Sequence, residues 1–263
     1  MKKILLATPV IGGLPPAYVQ TLLNMFLKKK PEVQYDYCLI AGTIINMARN
    51  EIANYGRVRG CDEIVFWDKD LKPSQEQFER LLSHDEDVVC AAYARRSTKT
   101  DFHVCGLPDE FPRKDGLQKV FQSAIGFSKI KVSVFERLAK ANPWRRHVKF
   151  ETGSQEYWLD EFFPMGVAGK NTPEGKIEQI KKLLSASDHE WVHRSINEII
   201  DNNDASDHQI LGEDFYFCRL LREAGIPMYL DTHLLIPHSG EVDLPIPTPD
   251  VKAMLKEEWR KDV

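Results

Sequence analysis

Asp68-Lys69-Asp70 sets two carboxylates two residues apart at the end of an apolar run, residues 63–67. Carboxylates so close repel each other unless cations neutralise them. A hard divalent ion with oxygen ligands does so and keeps positions for phosphate oxygens and water. On the triplet alone, a solvated turn with Lys69 as compensating charge explains the pattern as well, because a D-x-D spacing is short and common. A second acidic pair, Glu213 and Asp214, opens an amphipathic stretch after Gly212. Negative charge in a first helical turn is favoured by about 0.3 to 1 kcal/mol, so this pair has a structural reading beside a chemical one as general base. His238 follows an apolar run and precedes Ser239-Gly240, where an imidazole could reach an ion; a plain surface histidine is the alternative.

The elements that must position these groups alternate in type. Residues 4–9 form a short apolar run bounded by Gly and Pro, as buried strands do. Pro16 suits a first helical turn, and Tyr18, Leu22, Leu23 and Phe26 supply its apolar stripe. Residues 33–40 read as a second strand. Thr43 can cap a helix with Ile45, Ala48, Ile52 and Tyr55 on one face; Arg49 and Asn50 fall off that stripe, and Gly56 and Gly60 end the helix. A third strand, 63–67, stops at Asp68, and Ser74 with Gln77 has capping-box spacing. A fourth strand covers 87–92. This pattern predicts an α/β fold with a mostly parallel central sheet flanked by helices. In such sheets ligands bind beyond the carboxyl ends of strands, where Asp68 and Asp70 lie.

Past residue 100 the pattern loosens. A strand over 117–126 and a helix over 131–138 are expected, then an aromatic, loop-like stretch over 150–167. Residues 170–203 read as a polar helical insertion, and 211–224 as a strong amphipathic helix. A strand over 227–231 and a separate apolar run over 234–237 follow. The expected organisation is one domain over 1–244 carrying the insertion, then a Pro-rich segment and surface helix over 245–263.

Lys and Arg number 35 against 39 Asp and Glu, a formal charge of -4. That balance argues against strong non-specific affinity for nucleic acid. The basic and aromatic residues of 140–149 and 176–182 could follow a phosphate backbone, or form a solvated surface. The five cysteines are odd in number, with no C-x-x-C pair, and read as free thiols in a reducing compartment. No apolar run is long enough to span a membrane, so a soluble cytoplasmic protein is expected, with oligomeric state left open.

Five segments occur in an informative order: Ala7-Thr8-Pro9, Ala48-Arg49-Asn50-Glu51-Ile52-Ala53, Phe66-Trp67-Asp68-Lys69-Asp70, Gly212-Glu213-Asp214-Phe215-Tyr216-Phe217-Cys218 and His238-Ser239-Gly240. In that order the chain resembles GT-A fold glycosyltransferases, in particular the compact family-2-like enzymes of viruses and bacteria, over 2–240 without 170–203. The resemblance implies a nucleotide-diphosphate sugar as donor, a UDP-sugar first, and Mn2+ or Mg2+ held by Asp68, Asp70 and His238. It implies Thr8 and Pro9 bordering the base, Arg49 on the base or diphosphate, and Lys69 beside the donor; Arg95, Arg96 and Lys99, which follow the fourth strand, are candidate cations for the diphosphate or a solvated loop. Asp214 would be the general base of an inverting transfer and Glu213 the second choice. Gly126 to Ser128 resembles the small-residue strand near the acceptor. The acceptor implied is a glycan or, as in some phage enzymes, a hydroxylated DNA base.

Other readings make distinct demands. Trp158, Asp160 and Phe162 suit stacking on a sugar or base, or core packing. A nucleotidyltransferase making a nucleotide sugar would need a basic pair after its Gly-rich loop, which Gly12-Gly13-Leu14-Pro15-Pro16 lacks. A non-catalytic nucleotide- or sugar-binding protein would not need the acids and His238 together. An α/β phosphotransferase or hydrolase would use Asp68 as nucleophile.

Overall fold

The computed structural model describes residues 1–28, 31–93, 104–106, 112–142, 148–152, 155–168, 175–177, 179–180, 199 and 209–238. Its centre is an eight-stranded sheet made of β1 (Lys2–Val10), β2 (Val33–Ala41), β3 (Glu63–Trp67), β4 (Val88–Tyr93), β5 (Val104–Gly106), β6 (Leu117–Ser123), β7 (Phe127–Lys131) and β12 (Met228–Ile236). The spatial order is β2-β1-β3-β7-β4-β12-β6-β5. β1 pairs in parallel with β2 and β3, and β4 with β12. β7 runs antiparallel between β3 and β4, and β6 antiparallel to both β12 and β5. The sheet is therefore mixed rather than mostly parallel. The strand that changes its character is β7, whose residues 127–131 lie between the strand and the helix expected from sequence.

Side chains alternate between faces along each strand. Leu5, Ala7, Ile64, Phe66 and Cys90 point to one core with Phe135, Phe163, Phe217 and Leu221. Ile4, Leu6, Val65, Trp67 and Val89 point to the other with Tyr18, Met25 and Phe78. The first face carries α2 (Ile45–Val58), α4 (Val132–Ala141) and α5 (Glu213–Glu223); the second carries α1 (Pro16–Leu27) and α3 (Gln75–Ser83).

Local chemistry explains where helices begin. Pro16 opens α1 as expected. Ser74 and Gln77 close a complete capping box on α3. Thr43 is not a cap: Ile44 precedes the first turn of α2, and the Thr43 hydroxyl turns to Met47 Sδ at 3.6 Å. Nor does Gly56 end α2, which continues to Val58. A Cβ at Gly56 would lie 2.6 Å from Ile64 Cδ1, so glycine is what lets the helix approach β3.

The stretch expected as a loop contains a two-stranded antiparallel pair, β8 (Val148–Thr152) with β9 (Gln155–Leu159). A second small pair joins β10 (Gly166–Ala168) to β11 (Gln209–Leu211), and leads into α5. β12 is one strand where the sequence suggests two. Asp231 interrupts its apolar run yet is fully buried, because Arg80 Nε at 2.6 Å and His84 Nε2 at 2.7 Å meet its carboxylate. Cys38, Cys61, Cys90 and Cys218 are free and buried. No helix among the described residues is long and apolar enough to cross a membrane. Arg95, Arg96, Lys99, most of 170–203 and all of 239–263 lie outside the described residues.

Candidate functional site

Arg49 organises the exit of β3. It is only 2% exposed, so its charge must be matched inside the protein. Nη2 lies 3.4 Å from Asp68 Oδ2 and 3.4 Å from Asp214 Oδ1, and Nε lies 3.5 Å from Glu213 Oε1. The guanidinium carbon also sits 5.8 Å from the centroid of Phe66. Burial alone disfavours the cation, but Asp214, Asp68 and Glu213 outweigh it and hold the proton more tightly than usual. Sequence periodicity put Arg49 and Asn50 off the apolar stripe; both are buried because this polar cluster and the loop at 160–163 receive them.

Three elements bring the carboxylates to Arg49. Asp68 leaves β3 with its amide donating to Gly126 O at 2.7 Å, which fixes the strand exit against the start of β7. Burial pushes the Asp68 carboxyl up to about 6; Arg49 opposes this, while Asp214 and Glu213 add to it. Glu213 and Asp214 form the first turn of α5, where a helix favours negative charge. Burial, and then Asp214, raise the Glu213 pKa against the pull of Arg49. Asp214 Oδ2 accepts from the Ile125 amide at 3.3 Å.

Tyr93, the last residue of β4, belongs to the same cluster and escaped the sequence reading. Its hydroxyl accepts from the Gly126 amide at 2.8 Å. Burial pushes its phenol well above the ordinary range, and Asp214 and Asp68 push further. Its signal was positional: it ends a strand parallel to β12 at the carboxyl edge, as Asp68 does for β3. Gly126 makes room for both, since a Cβ there would fall 2.5 Å from Asp68 Oδ2 and 2.5 Å from the Tyr93 hydroxyl.

Asp70 and His238 form a second pair, with Nε2 and Oδ2 3.2 Å apart. Backbone contacts hold the two segments together: Leu71 bridges to His238, and the Lys72 amide donates to Pro237 O at 3.0 Å. The Tyr93 ring meets the His238 ring edge-on, with centroids 5.8 Å apart.

Other expected contacts are engaged within the protein. Lys69 Nζ donates to the carbonyls of Ile11 and, at 3.3 Å, Gly13, so it pins the loop after β1. Thr8 is fully buried with its hydroxyl joined to that of Tyr18, and Pro9 is buried beside it. Asn50 Oδ1 accepts from the amides of Phe162 and Phe163 at 2.7 and 2.9 Å. Phe162 packs on Phe135 at 5.0 Å, and Asp160 pairs with Arg57.

The three expected metal ligands are divided between these two groupings. Asp68 turns to Arg49, whereas Asp70 and His238 turn to each other. Among the described residues no three His, Cys, Asp or Glu side chains are grouped to hold an ion. A carboxylate and an imidazole still fit a divalent ion that takes its remaining ligands from phosphate oxygens and water. Of the three expected ligands, the structure pairs Asp70 with His238 and sets Asp68 apart with Arg49.

No protein-family profile matches the chain, and no curated protein matches it. Among solved structures it is similar to A197 from STIV, at 18% identity and a TM-score of 0.39, over 52% of this chain and 68% of that one. That likeness is too slight to bear on the site. The geometry of the two groupings has to carry the functional reading.

Proposed function

We propose that the chain is a glycosyltransferase of the GT-A type that moves a sugar from a nucleotide-diphosphate sugar to an acceptor hydroxyl. The observation that carries this reading is Asp214. It projects from the first turn of α5 beside the strand-exit Asp68, held by Arg49 at 3.4 Å and by the Ile125 amide.

In the proposed reaction Asp214 takes the proton of the acceptor hydroxyl as its oxygen bonds to the anomeric carbon. The bond from that carbon to the diphosphate oxygen breaks, and its electron pair leaves with the diphosphate. One such displacement inverts the anomeric centre. Arg49 does not act on the donor here; it positions Asp68 and Asp214, and Glu213 steadies Arg49 in turn. Asp70 and His238 are the residues to hold Mn2+ or Mg2+, which would supply positive charge to the departing diphosphate.

The test is release of nucleoside diphosphate from a panel of UDP- and GDP-sugars in the presence of Mn2+, with a mixed set of glycan acceptors. Asp214→Asn is expected to abolish transfer and leave UDP binding within about twofold of the original, since the loss is confined to proton transfer. Full turnover in Asp214→Asn removes Asp214 as base. Absence of both turnover and nucleotide binding across the panel removes the transferase reading itself.

A further inference from the structure

β2 is the outer strand of the eight-stranded sheet, and no described residue pairs with its free edge. Edge strands are commonly kept from joining one another by short length, proline, lysine or bulges. β2 has none of these. It runs for nine residues, Val33–Ala41, contains neither proline nor lysine, and keeps an unbroken register with β1. Its one charged residue, Asp36, is neutralised within the chain by Lys3 at 3.3 Å and Arg59 at 3.8 Å.

Apolar side chains carry this edge onto both helical layers. The Phe26 ring lies 5.9 Å from that of Tyr35, which marks the flank of α1 that overhangs β2. Val19 and Leu23 share that flank at helical spacing and are exposed. On the other face Arg59, at the end of α2, reaches Asp36, and Tyr55 and Val58 beside it are exposed, as is Leu39 on β2 itself. A nine-residue strand is ~30 Å long, and a helix ~10 Å across on each side gives the edge a height of ~20 to 30 Å. Each copy therefore offers a face of roughly 600 to 900 Å², against the ~800 Å² per partner that stable complexes bury.

The charges choose the partner. Glu51, Tyr55 and Arg59 follow at four-residue spacing, so they form one line along α2 with Tyr55 at its midpoint. The Arg59 guanidinium lies over the Tyr55 ring, 5.8 Å from its centroid. Burial raises the Glu51 carboxyl, and no cation of the chain offsets it. Asp36 stands beside Arg59, and Cys38 feels the charge of Glu51, so the midpoint of the line is level with Tyr37, the middle residue of β2. A twofold axis normal to the sheet at Tyr37 runs β2 antiparallel to its copy, and it turns Glu51 of each copy toward Arg59 of the other. Such an arrangement is self-complementary, as a twofold interface must be. An unrelated strand would satisfy the backbone of the edge without matching this line.

We propose that β2 is the interface of a twofold dimer, in which two copies of the chain join edge to edge into one continuous sheet. This does not depend on the transferase reading.

The test follows the mass of the full chain by sedimentation and light scattering from about 1 to 100 μM, where an interface of moderate affinity dissociates. A dimer is expected at the upper end. Glu51→Arg is expected to raise the dissociation constant about tenfold or more, because it sets like charges together at two symmetric places. Leu39→Lys is expected to do the same, since a lysine is how edge strands are kept apart. Exchanging the charges, Glu51→Arg with Arg59→Glu, is expected to restore the dimer, because both pairs are rebuilt in the opposite sense. A monomer throughout overturns the proposal. So does a dimer indifferent to Glu51→Arg and Leu39→Lys, or an exchange that folds and stays monomeric. Where a variant folds poorly, the wild-type chain decides alone: the β2 amides that point away from β1 are expected to exchange with deuterium more slowly at high concentration than at low. Equal exchange at both overturns the proposal, whether those amides stay open, which leaves the edge to another protein, or stay protected by a further segment of the same chain.

Discussion

Arg49 Nη2 stands at the same distance, 3.4 Å, from Asp68 at the exit of β3 and from Asp214 at the start of α5. One buried guanidinium thus joins two elements that are far apart in sequence, and its charge is matched there by three carboxylates. Removing it takes away the guanidinium that three partly buried carboxylates share. Arg49→Met is expected to destabilise the fold by about 3 to 5 kcal/mol in urea unfolding, the range for breaking a buried ion pair on one side. Adding Asp214→Asn to that variant should recover part of the loss. A double variant no more stable than Arg49→Met would mean that the two side chains are not coupled.

The same cluster fixes a pH dependence. Glu213 keeps its proton to a higher pH in the folded chain than its ordinary value of 4.5, through burial first and Asp214 second, with Arg49 opposing. Asp68, faced by Arg49, Asp214, Glu213 and His238, behaves alike, with a folded value of about 6 against 3.8. Each group binds more protons folded than unfolded from its ordinary value up to its raised one, so stability from them rises as pH falls through that interval. Above pH 6 the burial of charged Asp68 is a net cost. Denaturant midpoints from pH 7.5 to 4.5 should therefore slope less steeply in Glu213→Gln and Asp68→Asn than in the original chain. Identical slopes would show that neither carboxyl is perturbed.

Much of this arrangement was readable in the sequence, and the failures have physical causes. The runs around Leu5, Val65 and Val89 announced their strands because continuous apolar character is what two-sided burial demands. β7 showed only as the Gly126–Ser128 stretch that the family resemblance marked, because Ser128 and Lys129 sit fully buried in it, Lys129 by donating to His84 O and pairing with Glu63 at 3.4 Å. β12 looked divided for the like reason that Asp231 is buried with partners from distant helix α3 and its end. Polar residues whose partners lie far along the chain defeat periodicity. Asp68, Asp214 and His238 were singled out by position and order, but which of them touch was not legible. That depends on Arg49, whose burial no local pattern revealed, and on Gly126, whose importance lies in what it lacks.

The Asp70–His238 pair makes a separate demand. If it is the seat of a divalent ion, Asp70→Ala and His238→Ala should each remove most of the added thermal stabilisation that Mn2+ confers in the presence of UDP. The stabilisation from UDP alone should persist. Arg49→Lys serves as the contrast, since Arg49 belongs to the other grouping and should leave the Mn2+ increment intact. An increment equal in all four proteins would place the ion elsewhere.

Gly126 offers the sharpest probe of how the site is kept open. Its amide donates to the Tyr93 hydroxyl, its carbonyl accepts from the Asp68 amide, and its missing side chain is the space those two residues share. A methyl group there meets Asp68 Oδ2 and the Tyr93 hydroxyl at 2.5 Å, closer than any real contact, so at least one must move. Gly126→Ala is expected to cost about 1 to 3 kcal/mol, as overpacking does. Tyr93→Phe in the same chain removes the hydroxyl and one of the two clashes, and should restore part of the stability. The Asp68 clash remains in the double variant, so transfer activity should stay depressed even as stability returns. Recovery of both together would mean that Tyr93, not the placement of Asp68, is what the glycine protects.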